Sequence, residues 1–434
     1  MGRLIFVNRF FFPDHSATSQ ILSDLAFHLA GTGREIHVVT SAQVYDAPQA
    51  SLPSFEIIND VRVHRLPSTR FGRGALLGRS IDYLSFYRSA WHGLMDIVRP
   101  GDWLVAETDP PLVSLVAMAA ARRRGAGLIN WLQDLYPELA VLLGVPVVTG
   151  PVGSGLAALR DRSLRAAAAN VVVGRLMAQK IEALGIASAR IHVIPNWCDD
   201  QEIQPLAQAE NPLRQAWGLQ GQFVLGYSGN LGRVHEFETV LAAAELLRHD
   251  PRFVFLMIGG GKRFDELQGA VKKRALARSF RFLPYQDRKS LTYSLGVADV
   301  HWVSLNPKLE GLIVPSKFYG IAAAGKPIVV IADSGGELAR LAQDHGCGVV
   351  IEPGNADALV GALRRLSSEP ATVAEMGRQA RKMLDEHFSR RHALERWREL
   401  LERLDEARTS EPTRAGAVSD RTESARQEPL RSRL

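Results

Sequence analysis

The chain has 434 residues, which is more than one hydrophobic core usually organises, so we expect two domains. Hydrophobic residues make up 46% and charged residues 23%, a composition typical of folded soluble proteins that excludes a largely disordered chain. The formal net charge of +6 is modest and no nucleic-acid-binding module is recognisable, so we expect no nucleic-acid partner. The two cysteines, Cys198 and Cys347, form neither a disulfide framework nor a metal-binding motif and favour a reducing, cytoplasmic setting.

The first half of the chain alternates short apolar runs with Ala- and Leu-rich segments, a pattern typical of parallel strands covered by helices. The N-terminal run is too short for a signal peptide or membrane span, and we interpret it as the first strand. The predicted strands are Leu4–Asn8, Ile36–Thr40, Val61–Arg65, Trp103–Glu107, Gly127–Leu132, Asn170–Val173 and Ile191–Ile194. The predicted helices are Thr18–Ala30, Leu112–Arg123, Ser154–Ala168 and Gly174–Ala183. We therefore expect residues 1–196 to form one doubly wound α/β domain.

The same alternation restarts after Asn196 and predicts a second α/β domain over residues 197–387. Its predicted strands are Gln222–Ser228, Phe253–Gly259, Phe280–Leu283, Val300–Ser304, Ile328–Ile331 and Gly348–Ile351. Its predicted helices are Glu236–Arg248, Arg263–Ala275, Arg288–Ala298, Ser316–Ala324, Gly336–His345, Ala356–Leu366 and Ala371–His387. Ligands of such sheets bind at the carboxyl ends of the strands, so we expect a site in a cleft between two Rossmann-like domains.

The C-terminal part of the chain predicts one more helix, His387–Ala407, with Leu394, Trp397 and Leu401 among the apolar residues on one face. We expect residues 388–407 to pack back on the first domain. Residues 408–434 are rich in Arg, Glu and Ser without apolar periodicity, so we predict a disordered tail there.

The segment from residue 310 to residue 327 places one acid and one lysine around the start of a short predicted helix. Pro315 and Ser316 favour a helix start, and Gly325 favours its end. Lys317, together with the free helix N–H groups, can hold phosphate, and Glu310 can accept hydrogen bonds from sugar hydroxyls. This arrangement suits a sugar attached to a diphosphate. The alternative is a buried Ala-rich helix with a solvated lysine and glutamate.

Several short motifs occur along the chain in one characteristic order. They are FFPDHSATS (residues 11–19), TDPP (108–111), QDLYPE (133–138), VIPNWCD (193–199), YSGNLG (227–232), IGGGK (258–262), VPSKFYGIAAAGKP (314–327) and GCGVVIEPGNADAL (346–359). With this ordered set, the chain resembles the retaining nucleotide-sugar glycosyltransferases of family 4 from residue 3 to about residue 404. Within that family it is similar to the bacterial O-antigen and capsule enzymes, among them the N-acetyl-fucosamine transferases. The resemblance implies the GT-B fold, in which two Rossmann-like doubly wound domains face a central cleft.

The resemblance also implies an activity and its partners. The donor would be a nucleotide sugar, most simply a UDP-sugar, and the acceptor a saccharide or a polyprenyl-diphosphate-linked saccharide. The sugar would be transferred with retention, without a metal ion or another cofactor, in the synthesis of a cell-surface polysaccharide. In agreement, the sequence contains no H-x-x-H, C-x-x-C or paired aspartates at metal-ligand spacing.

The donor-side residues follow from the matched motifs. The resemblance implies that Lys317, and after it Arg233, bind the donor diphosphate, and that Glu310 contacts the donor sugar. A departing diphosphate needs its charge stabilised, which these two cations can do; for Arg233 the alternative is an ordinary surface arginine. The other expected donor-side residues are Gly229, Asn230, Gly232, Gly260, Leu283, Tyr285, Gly311, Pro315 and Ser316. Glycines 229 and 232 would let backbone N–H groups approach the phosphates.

Two positions depart from the family pattern. The second acid of the family's paired-glutamate motif is missing, because counting from Glu310 leads to Phe318 and counting back from Gly325 leads to Gly320. The lysine that usually follows the glycine loop is replaced by His235.

The acceptor-side candidates lie in the first domain. Asp134 follows a buried predicted strand and could position or deprotonate the acceptor hydroxyl as a general base. The alternative, that Asp134 caps the following helix, carries equal weight. Asp14 and His15, in the opening loop, are further acceptor-side candidates, although for His15 local bonding within the loop carries more weight.

A basic and aromatic segment, residues 65–91, is a candidate membrane-binding surface. It contains Arg65, Arg70, Arg73, Arg79 and Arg88 among Phe71, Leu76, Leu77, Tyr83, Phe86 and Tyr87. Such a surface could bind anionic lipid at the inner face of the cytoplasmic membrane. The alternative is an ordinary helix, Ile81–Val98, packed on the first sheet with its arginines in solvent.

Glycosyl transfer is therefore the leading functional hypothesis. A GT-B-like nucleotide-sugar 2-epimerase is a second hypothesis, and a catalytically silent carbohydrate- or partner-binding homologue is a third. Nucleotide release in the presence of an acceptor separates the three.

Overall fold

The computed structural model describes residues 2–44, 52–71 and 76–410. Within them, two parallel sheets are each covered by helices. The strands are β1 (Leu4–Val7), β2 (Ile36–Ser41), β3 (Phe55–Ile58), β4 (Val61–Leu66), β5 (Trp103–Ala106), β6 (Gly127–Leu132), β7 (Ala169–Val172), β8 (Ile191–Val193), β9 (Phe223–Asn230), β10 (Phe253–Gly260), β11 (Phe280–Leu283), β12 (Val300–Ser304), β13 (Ile328–Ile331) and β14 (Gly348–Ile351). The helices are α1 (Ala17–Gly31), α2 (Leu76–Ile97), α3 (Val113–Arg124), α4 (Glu138–Leu142), α5 (Gly150–Ala166), α6 (Arg175–Ala183), α7 (Pro212–Ala216), α8 (Glu238–Leu246), α9 (Phe264–Lys273), α10 (Leu291–Gly296), α11 (Lys317–Ala323), α12 (Glu337–Asp344), α13 (Ala356–Ser368), α14 (Pro370–Met383) and α15 (Arg390–Ser410).

The first sheet has the order β3-β4-β2-β1-β5-β6-β7-β8 and is parallel except for β3, which pairs antiparallel with β4. The sequence analysis missed β3 because its residues alternate between exposed and half-buried positions at the sheet edge, which leaves only a weak apolar signal. The strand order reverses direction between β1 and β5. In doubly wound sheets, ligands bind at the carboxyl ends of the strands at such a switch point.

Alternate residues of the central strands face opposite layers of the first domain. Leu4 and Phe6 pack with α1 and α15, whereas Ile5 and Val7 pack with α2 and α3. Both faces of the sheet are therefore covered, as the nearly continuous apolar composition of its strands predicts.

The second sheet has the order β11-β10-β9-β12-β13-β14 and is parallel throughout. Its switch point lies between β9 and β12, which pair only near their starts, at Leu225 with Val300 and at Gly226 with His301. The carboxyl ends of these two strands have no ladder pairing between them, and the loops that follow lie at this position.

The two domains contact each other directly. One cluster of buried apolar residues includes Leu132 and Leu135 from the first domain and Leu312 and Val314 from the second. The Leu135 N–H donates to the Leu312 carbonyl oxygen at 2.8 Å, next to an isolated antiparallel bridge between Asp134 and Ile313. The loop after β6 is therefore joined to the loop that precedes α11.

The last helix, α15, returns to the first domain. Trp397 packs edge-on against Trp131, with ring centroids 4.9 Å apart, and Arg390 forms an ion pair with Asp24 of α1 at 2.7 Å. The helix continues to Ser410, so the expectation of disorder from residue 408 is wrong for its first three residues. Arg408 stabilises this last turn, because its guanidinium donates to the carbonyl oxygens of residues 101, 102 and 125 and stacks over an indole ring. The rest of the predicted tail, residues 411–434, lies outside the described residues.

Among the helices in the described part of the chain, none combines the length and the hydropathy needed to cross a lipid bilayer.

Candidate active site

The switch point of the second sheet holds a half-buried lysine next to a buried histidine. Lys317, the first residue of α11, places its Nζ 3.2 Å from His235 Nε2 and 5.4 Å from the ring centroid of Tyr227. His235 Nδ1 lies 2.8 Å from the carbonyl oxygen of Ser304, the last residue of β12. Because Nδ1 must donate to that carbonyl, Nε2 is the acceptor that orients the Lys317 ammonium group.

Burial changes the pKa of both groups. It lowers the pKa of Lys317 to about 8. For His235, burial and the nearby Lys317 lower the pKa to about 3, so this imidazole stays neutral at physiological pH. Among the described residues, no carboxylate lies within ion-pair distance of Lys317. The switch point therefore presents a desolvated cation without a protein anion.

Glycines bring the backbone close to this lysine. Gly229 has a φ of +120°, and a Cβ atom there would lie 2.9 Å from Lys317 Cε. In the adjacent strand, a Cβ at Gly259 would lie 2.3 Å from the Gly229 carbonyl oxygen. A side chain at either position would displace the backbone or the lysine. Position 232 does not require glycine for space, because a Cβ there would make only an ordinary contact at 3.6 Å.

A cavity of about 280 Å³ opens beside Lys317, between the two domains. Gly229, Ser316 and Lys317 line it from the second domain, and α1 contributes Gln20 and Ile21 from the first domain. The predicted helix starts and ends where expected, but with seven residues it is short, so the charge of Lys317 matters more here than the helix dipole.

Glu310 lies at the domain interface, where a 3₁₀ turn ends and the loop to α11 begins. Its Oε2 accepts a hydrogen bond from the Glu337 backbone N–H at the start of α12, at 3.3 Å. Burial raises the pKa of Glu310 to about 7, with Asp333 and Glu337 adding to the shift and the hydrogen bond opposing it. A protonated Glu310 can donate a hydrogen bond, and an ionised one can accept from a sugar hydroxyl.

Asp134 lies at the carboxyl end of β6, at the bridge to Ile313 of the second domain. The structure places it beside the loop that carries Glu310 and does not use it as a helix cap, because no side-chain cap bond is made at α4. Burial, and then the nearby Asp109, raise the pKa of Asp134 to about 7. A carboxyl group with a pKa near the working pH is suited to general-base catalysis.

Glu107 is a functional candidate that the sequence analysis missed. It directly follows β5 at the switch point of the first sheet, and its N–H donates to the Val7 carbonyl oxygen. The side chain is buried, and within the described part of the chain neither carboxyl oxygen has a hydrogen-bond partner. Burial, Asp109 and Asp134 raise its pKa well above the ordinary value. The signal available in the sequence was a charged residue at the end of an otherwise apolar strand.

Two arginines near the glycine-containing loop 227–232, Arg233 and Arg263, bind backbone carbonyl oxygens. Arg233 is exposed, and its guanidinium donates to the carbonyl oxygen of Leu143 in the first domain. Arg263 donates to the His235 carbonyl oxygen at 2.6 Å and stacks over the Phe237 ring at 4.3 Å. In this conformation Arg233 bridges the two domains, and the position next to Lys317 is taken by His235.

The other expected donor-side residues divide into two groups. Tyr285 is exposed at the end of β11, 3.1 Å from where a Cβ of Gly260 would lie, and Asn230 ends β9 beside them. Leu283, by contrast, packs on a buried apolar cluster. Gly311, with a φ of +73°, faces the first domain, because a Cβ there would lie 2.6 Å from Lys180 Cε. Pro315 is buried directly before the helix.

The two acceptor-side candidates of the opening loop, Asp14 and His15, differ in burial and in hydrogen bonding. Asp14 is buried, and its Oδ1 accepts hydrogen bonds from the N–H and the hydroxyl of Ser16 just before α1. His15 is exposed, and its carbonyl oxygen accepts a bond from the Gln20 side chain. Asp14 thus shapes the turn that starts α1. Neither Asp14 nor His15 lines the cavity, whereas Gln20 and Ile21 of α1 do.

Similar proteins agree with this architecture. Residues 17–197 match the family described as "Glycosyl transferase 4-like domain", and residues 210–383 match "Glycosyl transferases group 1". The two matches follow each other along the chain and correspond to its two sheets. The chain is a family 4 glycosyltransferase with the GT-B fold.

Relatives with assigned names have moderate sequence identity. The probable glycosyltransferase WbjE of Pseudomonas aeruginosa is 27% identical over 302 residues, which cover 69% of this chain and 74% of WbjE. The putative colanic acid biosynthesis glycosyl transferase WcaI of Escherichia coli K12 is 26% identical over 366 residues, 81% of this chain and 89% of WcaI.

Solved structures share the fold at lower identity. Sucrose-phosphate synthase from Thermosynechococcus elongatus superposes with a TM-score of 0.76 at 16% identity, covering 94% of this chain and 100% of that one. Anabaena HepE, solved in complex with UDP-glucose, superposes with a TM-score of 0.69 at 15% identity, covering 93% of this chain and 99% of HepE.

Proposed function

We propose that this glycosyltransferase moves a sugar from a UDP-sugar to a saccharide or polyprenyl-diphosphate-linked acceptor, with retention, in the synthesis of a cell-surface polysaccharide. The observation that carries the donor assignment is the half-buried Lys317 ammonium group at the switch point between β9 and β12. A cation that is partly removed from water without a protein anion is costly for the fold, and an anionic ligand offsets that cost. The donor diphosphate is such a ligand.

The choice of uridine and of a polysaccharide product rests on the similar proteins. HepE is solved with UDP-glucose, and the name of WcaI refers to colanic acid biosynthesis. The resemblance to N-acetyl-fucosamine transferases makes a UDP-linked N-acetylated 6-deoxy sugar the first donor to test.

The chemistry follows from the placement of the charged groups. The bond between the anomeric carbon and the diphosphate oxygen breaks, and UDP leaves with the bonding electrons while Lys317 stabilises its charge. The acceptor oxygen forms the new bond to the anomeric carbon and loses its proton, which Asp134 can accept at a pKa near 7. Glu310 lies on the loop between the two groups, where it can contact the donor sugar. Lys317 supplies the charge that a metal ion supplies in other transferases, so we propose that the reaction is metal-independent and proceeds in EDTA.

The acceptor-side proposal includes the membrane surface. In α2 and the segment before it, the side chains of Phe71, Leu77 and Leu84 are exposed by 65%, 74% and 66%, and Arg70 and Arg88 of the same region are also exposed. Apolar side chains among arginines fit the interface of an anionic bilayer, so we propose peripheral binding at the inner face of the cytoplasmic membrane.

The structure also narrows this proposed surface. Arg65 and Phe86 are buried, because Arg65 pairs with Glu56 and Phe86 packs between α2 and the first sheet, so these two residues cannot contact lipid. Arg73 and the side chain of Leu76 lie outside the described residues. Co-sedimentation with phosphatidylglycerol vesicles, compared between the parent and Leu77→Ser/Leu84→Ser, tests the proposed membrane binding. The proposal fails if the two proteins sediment equally or if neither of them sediments.

Nucleotide binding tests the donor site. We expect UDP to raise the melting temperature of the parent more than GDP, ADP or dTDP, since a ligand at about 100 times its dissociation constant adds about 2.7 kcal/mol. Lys317→Ala should lose this response and Glu310→Ala should keep it, because UDP lacks the sugar. Lys308→Ala is the matched control, because Lys308 is exposed on the preceding turn.

Nucleotide release tests the reaction. UDP released only when an acceptor is added supports transfer, whereas conversion of the donor without an acceptor would indicate an epimerase. A parent protein that binds no nucleotide would contradict the proposed function and favour a silent binding protein.

A further inference from the structure

The cavity beside Lys317 is lined by a second group of charged residues. They are Asp199 and Glu202 of the segment that joins the two domains and Arg288 of the loop after β11. At about 280 Å³, the cavity is close to the lower limit of small-ligand pockets, about 300–1,000 Å³. If phosphates bind Lys317, as the proposed function requires, the rest of the cavity is available to the nucleoside that they carry.

This acid–arginine cluster is held in place by several bonds. Arg288 Nη2 donates to Asp199 Oδ2 at 2.7 Å, and Arg288 Nε donates to Glu202 Oε2 at 2.9 Å. The Glu202 N–H donates to Asp199 Oδ1 at 3.1 Å, and the Glu202 carbonyl oxygen accepts from the Thr292 hydroxyl at 2.7 Å. Both oxygens of Asp199 are used in these bonds. Among the described residues, Glu202 Oε1 and Arg288 Nη1 are the polar atoms of the cluster that make no hydrogen bond.

Helices α10 and α11 line the cavity without any side chain that could accept a hydrogen bond. Gly320 of α11 lines the cavity, and a Cβ there would meet only Leu295 Cδ1, at 3.9 Å. Leu291 and Leu295 of α10 and Ile321 of α11, which also line the cavity, are apolar. A ribose beside these helices would find no acceptor among their side chains, whereas the cluster offers the Glu202 carboxylate.

We infer that Glu202, positioned by Arg288, accepts a hydrogen bond from a ribose hydroxyl of the donor nucleotide and makes the site selective for ribonucleotides over deoxyribonucleotides. The carboxylate has the geometry for it, because one oxygen is fixed by the arginine and the other is open. This inference rests on the proposed function, since it concerns the same donor site.

Titration calorimetry with UDP, 2′-deoxy-UDP and 3′-deoxy-UDP tests the inference. We expect the parent to bind UDP about tenfold or more tightly than at least one of the two deoxy analogues, the usual effect of losing a hydrogen bond to a charged group. In Glu202→Gln, the preference for UDP should fall to less than about threefold, mainly through weaker binding of UDP itself.

Glu402→Gln is the matched control. Glu402 accepts a hydrogen bond from Arg398 at 2.9 Å, the same distance as in the Arg288–Glu202 pair, but on α15 and away from the cavity. This variant should keep the parent's preference. Melting temperatures of both variants, recorded without nucleotide, show whether loss of an ion pair alone affects the fold.

The outcomes separate this inference from the proposed function. If the parent binds UDP and Glu202→Gln retains the parent's ratio of affinities, the inference is overturned while the donor site remains. If the parent binds UDP and the deoxy analogues equally well, no ribose hydroxyl is recognised, and the inference is overturned in the same way. If the parent binds none of the three nucleotides, the proposed function fails and the inference fails with it.

Discussion

Replacing Lys317 by methionine removes the cation from the proposed phosphate site and keeps most of the side-chain volume. A hydrogen bond to a charged group contributes about 1.5–3 kcal/mol, so UDP should bind about 10- to 150-fold more weakly to Lys317→Met near neutral pH. The same substitution should stabilise the unliganded protein. Burial lowers the pKa of Lys317 to about 8, so the charged form costs the folded state about 3 kcal/mol below that pH.

The pH dependence of UDP binding follows from the same pKa. Only the charged form of Lys317 attracts a diphosphate, and with a pKa of about 8 the charged fraction falls from about 90% near pH 7 to about 25% near pH 8.5. The affinity of the parent for UDP should therefore fall about fourfold over this interval, or about 0.8 kcal/mol. His235 does not contribute to this dependence, because its pKa of about 3 keeps it neutral throughout.

Titration calorimetry at the two pH values, on the parent and on Lys317→Met, measures both effects. The difference in pH dependence between the two proteins reports the titration of Lys317, since Glu310, with a pKa of about 7, titrates in both. An equal pH dependence in the parent and the variant would refute the reasoning. So would a variant that binds UDP as tightly as the parent, because Lys317 would then not contact the phosphates.

Three further substitutions give predictions at other places in the fold. Asp134→Asn should keep UDP binding and lose transfer by about 100-fold or more, and the parent's kcat should decline as the pH falls below about 7, where Asp134 becomes protonated. Glu107→Gln should be more stable than the parent at about pH 8 in urea titrations, and the difference should disappear toward about pH 4. The pKa of Glu107 is raised in the folded state, so the folded state holds the proton more tightly than the unfolded chain does. Ionisation therefore costs stability above the pKa of the unfolded chain, about 4.3. Glu337 of α12 accepts hydrogen bonds from the N–H groups of Arg175 and Leu176 at the start of α6. Glu337→Gln should therefore weaken the contact between the domains by about 1 kcal/mol. X-ray scattering of the unliganded variant should then show a larger radius of gyration than that of the parent.

Each of these three predictions has its own contradicting result. Retained transfer in Asp134→Asn would assign the acceptor proton to another group. A Glu107→Gln variant that is less stable than the parent at every pH would mean that the native carboxyl group has a partner. For Glu337, the control is Glu352→Gln, which loses a similar bond to a backbone N–H within the second domain. Equal scattering by the two variants would show that the bonds of Glu337 do not hold the domains together.

The elements that the sequence predicted well are those whose signal is local. Strands β11 to β14 have the predicted bounds, because continuous apolar runs between polar turns specify buried parallel strands. Helix α11 lies within a residue of its predicted bounds, because Pro315 and Ser316 stand before it and Gly325, with a φ of +62°, follows it. Helices α4 and α7 were missed, since five residues are too few for a helical period to be visible.

The order of the motifs along the chain was sufficient to indicate the GT-B fold and to single out Lys317, Glu310 and Asp134. Which groups lie next to them was decided by the tertiary structure alone. The contact between Lys317 and His235 joins residues 82 positions apart, and the bridge from Asp134 to Ile313 joins two domains. The pKa values of these groups depend on burial, which comes from packing two sheets and their helices together, and no local pattern of residues contains that information.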